Sequence, residues 1–155
     1  NIIKYRDEFR DVTIQLTASS INFTMLDTWW EELMELDIPI HSNPVLFPKE
    51  YSLRSIPEKY KEEQVTWLEN WIEKVDTGDT LTATELHKIT DWNEWKRNKV
   101  SRQIIEAQVA ISILNNNPYN EDYNKKFKHQ VKVMDEWRNE NISDLDYRFK
   151  EILHA

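Results

Sequence analysis

The spacing of apolar residues along the chain changes early, where a strand pattern gives way to a helical one. Apolar and polar residues alternate across Val12–Thr17, which predicts a half-buried β-strand. Further on, the apolar residues recur every three or four positions. This predicts a helix over residues 25–37, with Thr24 as its N-cap and Pro39 beyond its end. A similar spacing predicts a short helix over residues 2–10.

The stretch from Ile38 to Pro57 contains four of the five prolines in the chain. It also has two short apolar patches, Val45–Phe47 and Tyr51–Ile56. Because proline cannot donate a hydrogen bond to a ladder, we expect an extended segment with one or two short strands at most. The two patches are the predicted partners of the N-terminal strand.

The rest of the chain carries helical stripes that begin at capping signals. We expect a break near Thr90, a long helix over residues 92–115, and a further helix that ends at about Arg138. The predicted helix starts are Ser55 with Pro57 and Glu58, Thr82 with Glu85, Asp91 with Glu94, and Ser143 with Asp146. The predicted fold is therefore mainly α with a small β element (α+β), in which a bundle of about four helices follows the strand.

The apolar stripes of three helices predict one shared core. The stripe of the helix after Pro57 consists of Val65, Leu68, Ile72 and Val75. The residues expected to be buried together are Leu68, Ile72, Ile104, Ile111, Phe127 and Met134. The chain has no internal repeat and no long linker, so residues 1–155 are predicted to form a single domain. Within it, residues 1–57 form a strand–helix–extended segment and residues 58–155 a helical segment.

The composition argues against several kinds of partner and cofactor. The formal net charge of −8 repels phosphate backbones and anionic lipid surfaces, so we expect neither a nucleic acid nor a membrane as partner. The chain has no cysteine, so it cannot by itself build a disulfide, a zinc–thiolate site or an iron–sulfur cluster. A cysteine-free composition is compatible with a reducing compartment, and the expected location is cytoplasmic.

Two groupings of acidic side chains could carry chemistry, and each has a simpler interpretation. Glu31, Glu32 and Glu35 crowd one helix, which is common on the solvent side of an amphipathic helix. Glu151 and His154 have the Glu-x-x-His spacing that di-iron bundles use twice, but here it occurs once and close to the end of the chain. We interpret both groupings as solvated surface.

Aromatic and basic residues are interspersed at the start of the long predicted helix. They are Trp92, Trp95, Lys96, Arg97, Lys99 and Arg102. Such a cluster could stack bases and hold phosphates, but the acidic charge of the chain favours aromatic residues that dock the helix and basic residues that pair with nearby acids. The sequence has neither a Gly-rich phosphate loop nor a G-x-S-x-G motif. No catalytic residue and no metal ligand is therefore assigned, and whether the chain is an enzyme stays open.

Three stretches of the chain resemble the C-terminal part of radical S-adenosylmethionine proteins that carry a twitch-type extension. The stretches are SSINFTMLDTWWEEL, PIHSNPVLFPKEYSLRSIPEKYKEE and VKVMDEWRNENISDLDYRFKEIL. In that family a strand ends in a Ser/Asn segment, and an "xxLDxxxxWL" helix, a "P-x-x-x-S-I-x-x-L-P" crossing, helices and an "LDxxRNxxFxxxFPE" stretch follow. The matching pieces here are Leu26–Asp27, Pro48–Pro57 and Met134–Asn139, so the resemblance covers most of the chain.

The resemblance implies that this chain is a C-terminal fragment or a degenerate relative of such a protein. It lacks the family's three-cysteine loop for a [4Fe–4S] cluster. It would not be catalytically competent alone, and S-adenosylmethionine and the cluster would be cofactors only of a full-length parent. Asn22, together with Ser20, follows the strand at the place where polar groups approach adenosylmethionine in such barrels. In the alternative interpretation, both residues only turn the chain into the next helix.

A second hypothesis is a free-standing helical module for protein interaction or structure. Its exposed Trp-rich segments and its strand would then serve as interfaces. Because only short, proline-bearing patches are available as strand partners, we expect an open sheet edge. Either a missing N-terminal barrel or a homo-oligomer would close it, with residues 12–17 at or near the interface.

Overall fold

The computed structural model describes residues 12–154, except for the side chain of Trp92, and the helix expected over residues 2–10 lies outside this range. The described residues form a mainly helical fold with one two-stranded sheet, which confirms the predicted fold class. The strands are β1 (Ile14–Ala18) and β2 (Ile40–Pro44). The helices are α1 (Leu26–Glu35), α2 (Glu58–Val75), α3 (Ala83–His87), α4 (Trp92–Arg97), α5 (Lys99–Asn115), α6 (Glu121–Arg138) and α7 (Tyr147–His154). None of the described helices is long and apolar enough to cross a membrane.

The two strands run parallel, and α1 forms the crossover between them, so β1, α1 and β2 make a βαβ unit. The register places Ile14 opposite Ile40 and Ala18 opposite Pro44. At the start of the ladder, the Ile14 N–H donates to the Pro39 carbonyl at 2.8 Å. The end of β1 points toward the turn that leads into α1.

The sequence-based prediction is right about the first strand and wrong about its partner. Neither of the two apolar patches, Val45–Phe47 and Tyr51–Ile56, forms a strand. Most of the second patch is taken up by short 3₁₀ turns, which include Leu53–Ser55. The observed partner, Ile40–Pro44, begins with one buried apolar residue and is otherwise polar or proline. β2 pairs with β1 because α1 brings the chain back beside β1, and the local spacing of apolar residues does not indicate this long-range pairing.

Two of the predicted capping signals are confirmed. At α3, the Thr82 hydroxyl accepts from the Glu85 N–H at 3.3 Å, and the Glu85 carboxylate accepts from the Thr82 N–H at 2.8 Å. At α4, the Asp91 carboxylate accepts from the Glu94 N–H at 2.8 Å. The chain therefore breaks between α3 and α4, as expected near Thr90.

Three other predictions about the helices are wrong. Thr24 does not cap α1, because its hydroxyl donates instead to the Ser20 carbonyl at 2.6 Å in the preceding turn. Ser55 does not cap α2, because its hydroxyl donates to the Ser52 carbonyl at 2.9 Å. The long helix expected over residues 92–115 is interrupted at Asn98, whose backbone (φ −90°, ψ 37°) separates α4 from α5.

The buried apolar residues form two clusters, where the sequence predicts one core. The first cluster joins the sheet to α1, α2 and α5, and its members include Phe23, Leu26, Trp30, Ile40, Leu68, Ala107 and Leu114. The second cluster joins the start of α2 to α6 and α7, and its members are Ile56, Tyr60, Phe127, Val131, Phe149 and Ile152. Leu68 and Phe127 thus belong to different clusters. Three further predicted core residues, Ile72, Ile111 and Met134, are only half-buried.

This difference arises largely from the face that α2 buries. Its buried positions include two polar residues, Lys61 and Gln64, each of which has a hydrogen-bond partner. The Lys61 ammonium donates to a backbone carbonyl just beyond α5, and the Gln64 side-chain oxygen accepts from the Asp27 N–H at 3.0 Å. On the same face, Trp71 packs edge-on against Trp30, with ring centroids 6.0 Å apart. Because of these contacts, the face of α2 that is buried differs from the face that carries its predicted apolar stripe.

A buried arginine joins α7 to α1. The Arg148 side chain on α7 donates to both carboxylate oxygens of Asp27 on α1, at 2.9 and 3.0 Å. It also donates to both carboxylate oxygens of Asp146, at 2.6 and 2.7 Å. Asp146 caps α7 as well, because it accepts from the Arg148 N–H at 2.8 Å. Charge pairing therefore fixes α7 against the βαβ unit.

Candidate functional site

One face of the small sheet is polar and exposed. Its side chains are Gln15 and Thr17 on β1, and His41 and Asn43 on β2, and we refer to these four residues as the polar sheet face. The register pairs Gln15 with His41 and Thr17 with Asn43 across the two strands. Because successive side chains in a strand point to opposite faces, the intervening apolar residues, such as Ile40, pack on the first cluster instead.

A parallel sheet with a bare polar face is uncommon. Crossover helices usually cover both faces of parallel sheets, and the strands are then apolar on both sides. In the described part of this chain, the first cluster covers one face of the sheet, and the four residues of the polar sheet face are exposed. The polar sheet face offers amide, hydroxyl and imidazole groups that can donate and accept hydrogen bonds, so it can line a polar compartment.

The two residues predicted to contact a cofactor lie together in the turn that follows β1. The Asn22 amide oxygen accepts from the Ser19 N–H at 2.8 Å, and the Asn22 amide nitrogen donates to the Thr17 carbonyl at 2.7 Å. The Asn22 side chain thus holds the turn at the carboxyl end of β1. Ser20 is fully buried, and its N–H donates to the Tyr51 carbonyl at 2.9 Å. The Ser20 hydroxyl has no hydrogen-bond partner among the described residues.

A separate cavity lies where the start of β2 meets α3, α4 and α5. We call it the Arg102 cavity, and its volume is about 230 Å³. The residues with polar groups that line it are Asp37, His41, His87, Trp95, Arg102, Gln103 and Glu106. Sequence reasoning did not predict this site, because its residues come from four distant stretches of the chain. The one available signal was the cluster of aromatic and basic residues that contains Trp95 and Arg102.

Arg102 is fixed in the wall of this cavity by two contacts. Its guanidinium donates to the Asp37 carboxylate at 2.8 Å, and it lies over the Trp95 ring with 3.9 Å between its central carbon and the ring centroid. The pairing with Asp37 is of the kind predicted for this basic cluster. About nine-tenths of the Arg102 side chain is buried. Its Nε is also buried and has no hydrogen-bond partner in the described part of the chain.

Glu106 lies one helical turn beyond Arg102 and lines the same cavity. Burial disfavours its charged form and raises the pKa of the Glu106 carboxyl to about 7, although the nearby Arg102 charge acts in the opposite direction. No hydrogen bond or salt bridge joins Glu106 to another described residue. A carboxyl with a pKa near neutrality can change charge under ordinary conditions, which is common at functional sites.

The acidic groupings singled out in the sequence do not form a site. Glu31 makes an exposed salt bridge with Lys74 at 3.2 Å, as expected for a solvated helix face. The Glu151 carboxylate accepts from the Lys59 ammonium at 3.0 Å and from the Tyr60 hydroxyl at 2.9 Å. Across residues 12–154, no three His, Asp or Glu side chains lie close enough together to hold a metal ion.

No protein-family model matches the chain, and no curated protein sequence or solved structure is significantly similar to it. The site geometry and the sequence patterns are therefore the basis for a functional proposal.

Proposed function

We propose that this chain is the C-terminal, non-catalytic part of a radical S-adenosylmethionine protein with a twitch-type extension, or a degenerate relative of one. The observation that carries the proposal is the βαβ unit with its bare polar sheet face. In this arrangement β1 and β2 are the last strands of a larger parallel barrel, and the polar sheet face belongs to its inner wall. The helices from α2 onward form the extension.

Two general properties of β-sheets support this proposal. Isolated two-stranded sheets are marginally stable, and parallel strands occur almost entirely in sheets that are covered on both faces. In barrels of this kind, the residues that bind ligands follow the carboxyl ends of the strands. Asn22 and Ser20 lie at the carboxyl end of β1, which is the position that the proposed cofactor role requires.

The residues present do not suffice for the family's radical chemistry. A [4Fe–4S] cluster needs cysteine thiolates, and this chain has no cysteine. Any catalysis would therefore need a barrel segment from outside this sequence. The chain itself contributes the polar sheet face and the turn at Asn22. We further propose a cytoplasmic location, and, because of the net charge of −8, neither a nucleic acid nor a membrane as partner.

The decisive test is the coding sequence upstream of Asn1. We expect an open frame that encodes a C-x-x-x-C-x-x-C loop after a first barrel strand. An upstream frame that encodes further barrel strands without the loop would leave only the degenerate relative. If the upstream frame encodes no barrel strands, the proposal is wrong.

The protein encoded by the whole frame then tests the role of Asn22. Asn22→Ala should weaken adenosylmethionine binding in calorimetry by about fivefold, because the loss of a hydrogen bond typically costs about 1 kcal/mol. Asn70→Ala, at an exposed position of α2, is the matched control and should bind normally. Equal binding by both variants would leave Asn22 with only its role in the turn.

The second candidate function is a free-standing interaction module that assembles with copies of itself. The observation in its favour is a set of large apolar side chains that are strongly exposed: Leu46, Phe47, Trp137, Leu145 and Tyr147. Leu46 and Phe47 directly follow β2, so a self-association surface there would adjoin the sheet. Light scattering should then report an oligomer that Phe47→Lys disrupts. A monomer at high micromolar concentration would exclude this candidate.

A further inference from the structure

The charges around the Arg102 cavity do not balance. Arg102 and Asp37 neutralise one another through their 2.8 Å contact. Glu106 remains, and it has no hydrogen bond or salt bridge with another described residue. When Glu106 is ionised, the described residues of the cavity wall, with both histidines neutral, carry two carboxylates and one guanidinium, and Glu106 is partly shielded from water. A charge shielded in this way is costly unless a cation pairs with it.

The rest of the wall is mostly apolar. Ile38 lies just before β2, Ile40 is the first residue of β2, and Leu86 comes from α3. The volume of about 230 Å³ is below the range of about 300–1,000 Å³ that is typical of pockets for drug-sized ligands. The space therefore suits a small molecule with a short hydrocarbon body.

We propose that the Arg102 cavity binds a small organic amine, whose ammonium group pairs with the Glu106 carboxylate while its hydrocarbon body packs on the apolar wall. This site is independent of the proposed barrel function, because none of its polar residues except His41 belongs to the polar sheet face. The unpartnered Nε of Arg102 favours a different ligand, a small carboxylate, and this alternative is one outcome of the test below.

The pH dependence follows from the groups that face the cavity. They are Asp37 after α1, His41 on β2, His87 on α3, and Arg102 and Glu106 on α5. With the pKa of Glu106 at about 7, the ionised fraction of its carboxyl rises about tenfold between pH 6 and pH 8. Amine affinity should rise by about the same factor.

The experiment compares three ligands of the same shape by calorimetry on the intact chain at pH 8. They are 3-methylbutylamine, 3-methylbutanol and 3-methylbutanoate. We expect the amine to bind at least tenfold more tightly than the alcohol. Equal binding of the alcohol would show an apolar cavity without charge recognition. Preferential binding of the carboxylate would assign the site to Arg102 instead, and the absence of amine binding at millimolar concentration would also overturn the proposal.

Glu106→Gln tests the assigned residue, and Glu69→Gln, an exposed position on α2, is the matched control. The first variant should lose the preference for the amine and its pH dependence, and the second should keep both. A pH dependence that persists in Glu106→Gln would come from another group and would contradict the proposed role of Glu106.

A second measurement needs no variant. In the unaltered chain, carbon-detected NMR can follow the titration of the Glu106 carboxyl. Saturating amine should lower the pKa of that carboxyl, because a bound ammonium stabilises the charged form. An unchanged titration in the presence of bound amine would contradict the pairing.

Discussion

Arg148, Asp27 and Asp146 form a largely buried group of ion pairs that we call the Arg148 cluster. The substitution Arg148→Met in this cluster gives the sharpest test of the fold. Methionine keeps most of the side-chain length but removes the charge and all donors. Only 3% of the Arg148 side chain is exposed, so water cannot replace what the guanidinium provides. The change leaves two carboxylates without their partner, and their burial differs. The Asp146 side chain is 8% exposed, whereas that of Asp27 is 28% exposed.

The magnitude follows from this burial. Removal of one partner from a buried ion pair typically costs about 3–5 kcal/mol, because an uncompensated charge stays behind. We expect Arg148→Met to lie near the lower end, at about 3 kcal/mol, since Asp27 can turn partly to water. Asp146→Asn should cost more than Asp27→Asn, because Asp146 is more buried and also caps α7. Each of these two should cost about 1–3 kcal/mol.

Urea denaturation at pH 7, followed by circular dichroism and tryptophan fluorescence, measures these differences in the free energy of unfolding. The comparison requires that the two probes give the same transition and that the dependence of this free energy on urea concentration is unchanged. The control is Lys59→Met, which breaks an exposed salt bridge to Glu151 elsewhere on α7. It should leave the free energy of unfolding nearly unchanged, because solvent screens exposed pairs. If Arg148→Met were no more destabilising than Lys59→Met, the cluster would not hold α7 in place. A larger loss for Asp27→Asn than for Asp146→Asn would show that burial does not set the order.

The same cluster predicts an acid response. The hydrogen bonds from Arg148 hold the pKa of the Asp146 carboxyl below its ordinary value. Stability from this carboxylate is therefore present above its ordinary pKa of about 4, and it is lost as the pH falls through the lowered value. In Arg148→Met, this part of the acid response should disappear from the pH profile of the urea midpoint.

Three further predictions concern other residues. Glu106→Gln should be more stable than the unaltered chain at pH 8 or above, by up to about 3 kcal/mol, and equal to it near pH 4. The pKa of the Glu106 carboxyl is raised to about 7 in the folded state, so its ionisation destabilises the folded state as the pH rises. The urea midpoints of the two proteins should therefore differ at pH 8 and converge toward pH 4. Phe127→Ala, in the second cluster, should cost about 3–5 kcal/mol in urea unfolding, whereas Phe47→Ala, at a site 75% exposed, should cost less than about 0.5 kcal/mol. Asn120→Ala removes the side chain that accepts from the Tyr123 N–H at 3.0 Å at the start of α6, and its thermal unfolding should reveal a loss of about 1 kcal/mol.

Features that depend on neighbours in sequence could be predicted for this chain. The alternation near residue 14 identified β1, and the pairs Thr82–Glu85 and Asp91–Glu94 identified two helix starts. In each case the partner atoms lie within a few residues of each other, so the pattern contains the whole interaction. The fold class follows from such local signals alone.

Features that depend on distant partners could not be predicted. The buried face of α2 contains Lys61 and Gln64, which would be poor choices for a core without their partners beyond α5 and at Asp27. The strand β2 pairs with β1 only because α1 returns the chain beside it. The Arg102 cavity combines stretches near residues 37, 87, 95 and 106, so no window of sequence contains it. The roles of Asn22 and Ser20 in a cofactor site stay predictions.

The contact between Arg148 and Asp27 also bears on how the protein folds as it is synthesised. The two residues are 121 positions apart. At about 5–20 residues per second, a ribosome needs about 6–24 seconds to make the chain between them. During that interval Asp27 has no Arg148 with which to pair. The contact between α1 and α7 can therefore form only after the intervening helices have been synthesised.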